Sequence, residues 1–392
     1  MAAADSLADT PLDRTHLQPT TMSQESPTLL VFPINVDSAV PVIRHARMLG
    51  YRIIGASSVF PLPTSAGLDA CIHLPFVTAP DFLPALKQAL GAHRVTHLYA
   101  PHHGVWSHLT GLSAEQEDIR SRLCGVHPFE QHWNDFLPSL EWAGTQHADS
   151  FADSLMLPGT VAAPALGVAG YSSIHRGFLR IPGESDEAKL AALCSLARVT
   201  PPGDVVEIGV LYGRSAYALG RLAHAHGIGS FIGVDPWNLG QITDQGEQAA
   251  ILERERGYVD CERIFLEFLA TAAEVPGMSF IRDVSQAAIK TYAEAARAGH
   301  LATAALPAVP LKGGISLLHI DGNHRYDQVL LDIQTWTPFL IPGGWLLLDD
   351  YVWAFGDGPQ RAGDQLLDSG EFDCAFTCSD TLFLRKRSNR PA

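Results

Sequence analysis

Four residues in the C-terminal half, Asp321, His324, Asp349 and Asp350, have the types and spacing to act together. The segment ISLLHIDGNHRY (315–326) reads as an apolar strand that delivers Asp321 at its carboxyl end and His324 one turn later. The segment GGWLLLDDY (343–351) reads as the next strand and ends in Asp349 and Asp350. Ligands of open α/β sheets gather at the carboxyl ends of strands, so these side chains aim at one crevice. Clustered carboxylates repel one another unless a proton or a cation sits between them. A hard divalent ion such as Mg2+ takes a few carboxylates and keeps positions open for water or substrate oxygens, which makes Asp321, Asp349 and Asp350 candidate metal ligands. His324 is a candidate general base, because imidazole titrates near neutrality and can take a hydroxyl proton. The competing reading is that Asp349 or Asp350 caps a loop and only one of them faces the crevice.

Two further motifs lie upstream. VVEIGVLYGRSA (205–216) is a strand, a turn holding Glu207, Gly209 and Gly213, and a helix start that includes Ser215. Glycines let backbone approach a ligand, and the helix N-terminus offers free N–H groups. SFIGVDPW (230–237) ends the next strand in Asp235, a carboxylate placed to accept the two hydroxyls of a ribose. Taken singly, the first motif is also what a plain tight turn looks like, and Asp235 is also what a helix cap looks like.

These residues need a sheet to position them. From Asp204 the chain alternates DVVEIGV, a helix from Arg214, SFIGVDP, a long insertion, MSFIRDV, a helical stretch, ISLLHID, a helix from Asp327 and GWLLLDD. The segments DCAFTC and TLFLRKR, separated by Ser379 and Asp380, read as a closing antiparallel hairpin. The expected fold is therefore α/β: a doubly wound, Rossmann-like sheet ending in that hairpin, preceded by a smaller N-terminal α/β domain. In the N-terminal part, TLLVFPIN, YRIIGASS, ACIHLPF and VTHLYA alternate with helical stretches, which indicates a parallel layer. The expected division is a disordered arm over 1–27, an auxiliary α/β domain over 28–110, a helical connector or cap over 111–182, and the main domain over 183–392. Residues 238–277 are long for a crossover, so a lid, substrate wall or subunit contact is expected there.

Composition narrows the function classes. The 392 residues are 46% hydrophobic and 18% charged, ordinary for a globular chain. A formal charge of −15 argues against nucleic acid or an anionic membrane as the main partner, since phosphate binding needs clustered Lys and Arg. The six cysteines are scattered without a C-x-x-C pair and read as reduced thiols, mostly in the core. No secretory leader and no long apolar run is visible, so a cytoplasmic protein is the default expectation.

With these residues in hand, the region from about Gly183 to Lys386 resembles the class I S-adenosylmethionine-dependent methyltransferases. The E-x-G-x-x-x-G turn at Glu207, Gly209 and Gly213 looks like that family's first motif, and Asp235 like its ribose-binding acid. Ile281, Asp283 and Ser285 fall where the family surrounds the adenine. The resemblance implies a cofactor site at Glu207, Gly209, Gly213, Ser215, Asp235, Trp237, Asp283, Val284 and Asp321. Asp321 followed by a base and an acidic pair is similar to the metal site of catechol O-methyltransferases, whose base is lysine. A histidine at that place looks more like the magnesium-dependent sugar O-methyltransferases of macrolide biosynthesis, in the mycinamicin and macrocin group. That group implies Mg2+ or another divalent cation, a small-molecule acceptor, an extra N-terminal domain and a homo-oligomer. Two alternatives use the same fold: a metal-dependent, hydroxylase-like enzyme, and a non-catalytic cofactor-binding protein. The N-terminal unit resembles the nucleotide-fold domain that precedes ATP-grasp modules, with no ATP-grasp body after it.

Overall fold

The computed structural model describes residues 26–62, 67–157 and 160–388. The arm expected over 1–27 lies outside the described residues except for its last two. The chain divides into two compact units, 1–135 and 136–392.

The first unit is a parallel sheet with helices. Its elements are β1 (Thr28–Val31), α1 (Ala39–Met48), β2 (Arg52–Ser57), β3 (Ala70–His73), α2 (Phe82–Ala92), β4 (His97–Tyr99), α3 (His103–Ser113), α4 (Glu117–Arg120) and the start of α5 (Pro128–Ala148). The strand order is β3-β2-β1-β4, all pairs parallel. Leu30, Ile54 and Leu98 face one apolar cluster, and Leu29, Val31 and Ile53 face another. Alternation along each strand sends neighbouring residues to opposite faces, so these short β-rich runs are buried on both sides.

In the second unit, α6 (Phe151–Ser154), α7 (Val168–Arg180) and α8 (Glu187–Ala197) precede the large sheet. Then come β5 (Asp204–Ile208), α9 (Arg214–Ala225), β6 (Phe231–Val234), α10 (Leu239–Thr243), a 3-10 stretch (Glu247–Gly257), α11 (Cys261–Glu274), β7 (Met278–Ile281) and α12 (Ser285–Ala298). After the short pair β8 (His300–Leu301) and β9 (Val309–Pro310) follow β10 (Ile315–Ile320), α13 (Tyr326–Trp336) and β11 (Leu340–Leu348). The last elements are α14 (Gly358–Asp368), β12 (Phe372–Cys378) and β13 (Thr381–Lys386). The sheet order is β12-β13-β11-β10-β5-β6-β7, with β11 to β7 parallel and the β12–β13 hairpin antiparallel at the edge. This is the doubly wound sheet and closing hairpin that the sequence predicts.

Its two faces carry separate cores. Val205, Leu317, Trp345 and Leu347 pack with α7, α8, α9 and α11, while Val206, Leu318, Leu346 and Leu348 pack with α12, α13 and α14. The helix α8 is buried almost all round, and it starts at Asp186, whose side chain accepts from the Lys189 N–H at 2.8 Å. One sequence expectation fails: of the six free cysteines only Cys194 is buried, and the other five are half-exposed. Cys71, Cys374 and Cys378 sit on edge strands, Cys261 starts α11 and Cys124 lies in the loop after α4, so each meets solvent on one side.

The first glycine motif has a structural cause that the sequence does not reveal. Gly209 has φ +80°, and a Cβ there would overlap the carbonyl oxygen of Asp321. The end of β5 and the end of β10 therefore meet through a bare backbone contact, reinforced by Asp321 N–H donating to Ile208 O at 2.8 Å. Gly209→Ala is expected to cost more than about 3 kcal/mol, because strain and a backbone clash add. Gly370→Ala, at φ +70° in open space, is expected to cost only about 1 kcal/mol. Urea denaturation of both variants checks the contrast; equal losses would show that the close approach is immaterial.

Candidate active site

The four residues of the C-terminal motifs do meet, but not on equal terms. Ligand atoms of Asp321, His324 and Asp350 lie within 4.8 Å of one another. His324 Nε2 is 2.9 Å from Asp350 Oδ2, and its Nδ1 is buried with no hydrogen-bond partner. Trp353 meets the His324 ring edge-on at 4.3 Å between centroids. Asp349 is occupied differently. Its Oδ2 pairs with the Lys189 ammonium and its Oδ1 accepts from the Thr381 hydroxyl.

Lys189 is 1% exposed and comes from α8, so it brings a cation under the acidic edge of the sheet. Burial opposes its charge, but Asp349 and Asp321 outweigh that and hold its pKa above the usual lysine value. Burial would likewise raise the Asp349 carboxyl, yet Lys189 and His319 hold it well below the usual range. Asp321 has no such partner of its own. Burial, then the neighbouring Asp349 charge, push its carboxyl well above the usual range. His319, on β10 and fully buried, bonds Glu207 Oε1 through Nδ1 at 2.7 Å and lies 3.6 Å from Asp349 through Nε2.

A cavity of about 390 Å³ opens over this cluster. Its lining includes Gly209, Gly213, Ser215, Asp235, Val284 and Ser285 from the upstream motifs, and Asp321, His324, Asp349 and Asp350. Asp235 Oδ2 accepts from the N–H groups of Val210 and Leu211 at 2.8 and 3.0 Å, and Oδ1 from that of Trp237 at 2.6 Å. Burial raises its carboxyl pKa against those three donors. The turn after β5 is thus pinned to the end of β6 by this one carboxylate. The insertion supplies a wall: Gln241, Thr243, Gln245 and Leu252 line the cavity. It grips the His324 loop, with Gln245 Oε1 accepting from His324 N–H at 2.9 Å and Arg325 pairing with Asp244 at 3.1 Å.

Among known protein families, residues 206–351 match the one described as "Methyltransferase domain". Residues 206–351, within the second unit, are therefore an S-adenosylmethionine-dependent methyltransferase domain. No curated protein matches the chain. Similar solved structures include the O-methyltransferase NovP, 18% identical over 52% of this chain and 80% of that one, with a TM-score of 0.37. CalS11, a calicheamicin methyltransferase, is 14% identical over 67% of this chain and 94% of that one, TM-score 0.39. MycE, a methyltransferase of the mycinamycin pathway in complex with Mg and SAH, is 19% identical over 48% of this chain and 46% of that one, TM-score 0.27.

Within the methyltransferase unit, some residues expected at the cofactor stand elsewhere. Glu207 is fully buried behind the cavity on His319, with Oε2 unpartnered. Trp237 is 2% exposed and packs on Phe265, Phe268 and Phe280, its indole N–H donating to Leu211 O at 2.9 Å. Neither residue lines the cavity, and neither do Ile281 and Asp283. The sequence reading missed Lys189, Thr381, Asp380 and Asp332. For Lys189 a signal existed: an α8 apolar on every face marks a buried helix, so its lysine cannot be solvated. The others lie on elements that periodicity does not connect.

The donor set suits a divalent cation. Asp321 and Asp350 supply hard oxygens, His324 stands beside them, and no lysine or arginine is paired to either carboxylate among the described residues.

Two predictions follow from the buried charges. Lys189→Met leaves Asp349 buried without its partner and is expected to cost roughly 3–5 kcal/mol, whereas Lys189→Met with Asp349→Leu recovers most of that loss. Guanidinium unfolding of both variants measures it; an undiminished loss in the double variant refutes the pairing. Asp332 lines the cavity, accepts from Gln286 at 2.9 Å, and is pushed up to about 6 by burial. A carboxyl raised on folding contributes stability below its unfolded pKa, and that contribution is lost as pH rises through about 6. Asp332→Asn is therefore expected to match the parent near pH 4 and to exceed it by up to ~3 kcal/mol above pH 7. A constant difference across that range counts against it.

Proposed function

We propose that this methyltransferase transfers its methyl group to a hydroxyl oxygen of a small molecule, with a divalent cation such as Mg2+ held by carboxylates and His324 as general base. The observation that carries this reading is the convergence of Asp321, His324 and Asp350 in the same cavity that Asp235 and the α9 N-terminus line. S-adenosylmethionine supplies an activated methyl on a sulfonium, and a divalent cation supplies positive charge that makes a nearby hydroxyl more acidic.

The chain's own residues do the rest. Asp235 and the turn at Gly209 to Gly213 hold the nucleoside end of the cofactor; Asp321 and Asp350 hold the cation. Asp350 accepts from His324 Nε2, which fixes the tautomer and leaves the Nδ1 lone pair to take the hydroxyl proton. Asp349, tied to Lys189 and Thr381, shapes the field of the site. Trp353 and Phe355, 5.4 Å apart, give an aromatic wall for the acceptor ring and limit water. An acceptor with two neighbouring oxygens, such as a sugar diol or a catechol-like ring, suits such a cation. The acceptor is a small molecule rather than nucleic acid or membrane, in keeping with the charge of −15. No helix among the described residues is long and apolar enough to cross a membrane.

One observation favours a second reading: the convergent group contains His324 with two carboxylates, a donor set that also suits iron in a hydroxylase-like enzyme. Activity with Mg2+ alone in a colourless protein eliminates it.

Calorimetric titration with S-adenosylmethionine, with and without Mg2+, on the parent and on Asp321→Asn tests the main reading. Binding by the parent is expected, with the Mg2+ dependence lost in Asp321→Asn; absence of any cofactor binding refutes it. His324→Ala is expected to bind cofactor normally and to lose about 10²–10⁴-fold in kcat. Equal loss of binding and turnover would make His324 structural.

A further inference from the structure

A second cleft of about 660 Å³ in the methyltransferase unit shares no lining residue with the cavity above. It lies between α7, α9 and α11, with Phe136 and Leu140 from the middle of α5. Arg176 and Arg180 project into it from successive turns of α7, and Arg221 from α9. None of these three guanidinium groups is ion-paired to a carboxylate among the described residues. Glu274 is the one acid in the lining. In a chain of formal charge −15, three arginines in one concavity with no carboxylate partner repel each other, and an anion would relieve that repulsion.

The arginines are also prepared. Arg221 donates to the Tyr217 hydroxyl at 2.8 Å and to Ser173 Oγ at 3.2 Å, so neutral partners fix it and leave its charge free. A Cβ at residue 177 would overlap the Tyr217 hydroxyl, so Gly177 is what lets that anchor lie against α7. Arg176 lies over the Phe136 ring at 5.0 Å, which orients its planar fork.

We infer that this cleft binds a phosphate-bearing small organic molecule, whose phosphate is held by Arg176, Arg180 and Arg221 and whose apolar part rests on Phe136, Leu140 and Ile181. Guanidinium forks match phosphate oxygens in pairs, which lysines do not. The volume exceeds what inorganic phosphate needs and falls in the range of small-molecule sites. The site stands independently of the methyl-transfer chemistry proposed above.

The test is calorimetry on the full chain at constant ionic strength with two probes, inorganic pyrophosphate and phenyl phosphate. Saturable binding of both at one site is expected. Arg176→Gln with Arg180→Gln should weaken it at least about tenfold, Arg180→Gln alone less, and the exposed control Arg297→Gln not at all. Far-UV circular dichroism and S-adenosylmethionine binding report that each variant is folded. Binding should persist in Asp321→Asn with a chelator present, which separates this cleft from the cation site. The inference is overturned by absence of saturable binding, by equal affinity in the double variant, by loss in Arg297→Gln, or by loss in Asp321→Asn.

Discussion

Asp321, Asp349, Asp350 and Asp380 gather at one edge of the large sheet, and the charge of Lys189 is what allows Asp349 to be buried there. Two like charges 4 Å apart repel by about 4 kcal/mol at the effective dielectric of a protein. A single buried ammonium cannot neutralise four carboxylates, so the protein divides them. Asp349 is matched by Lys189 and Thr381, Asp350 faces the His324 imidazole, and Asp321 has no cationic partner within hydrogen-bond reach among the described residues. The Lys189 pairing thus belongs to the fold, whereas Asp321, His324 and Asp350 face the cavity. Glu207 and His319 extend the same logic inward, matching a buried acid with a buried imidazole one strand further along.

The architecture was legible because strand alternation and helix periodicity repeat along the chain, and β5, β6, β7, β10, β11 and the β12–β13 hairpin all stand where the pattern puts them. Asp321 and His324 were legible for a local reason: a strand ending fixes where the next few side chains go. The pairing of Asp349 was not, because its partner lies 160 positions away on a helix whose burial has to be read first. Trp237 misled in the opposite direction. It follows Asp235 in a motif that suggests a ligand, but its ring satisfies an aromatic cluster beneath the turn. The arginine cleft left no mark either, since its residues are spread over four helices and the chain as a whole is acidic.

Backbone strain follows the same map. Leu211, Trp237 and Asp350 adopt φ of 49°, 44° and 53°, in a region that costs a non-glycine residue of order 1–3 kcal/mol. Each lies next to the cavity or in its wall, and each is held by neighbours: the Asp235 carboxylate binds the Leu211 and Trp237 amides, and His324 binds the Asp350 side chain. The insertion tightens this from the other side, through Asp244 and Gln245. The loops at the site are therefore tethered at several points, which favours placing a methyl donor and an acceptor in line.

The hairpin that edges the sheet also sets a timetable. Its turn residue Ser379 grips Asp186, the cap of α8, and its strand supplies Thr381 to Asp349. A ribosome making roughly 5–20 residues per second presents Lys189 well before its partners leave the exit tunnel. Through that interval Lys189 keeps its charge in water, and the sheet that would cover it is unfinished. The charge network of the methyltransferase unit can close only once the hairpin strands that bring Ser379 and Thr381 have been made.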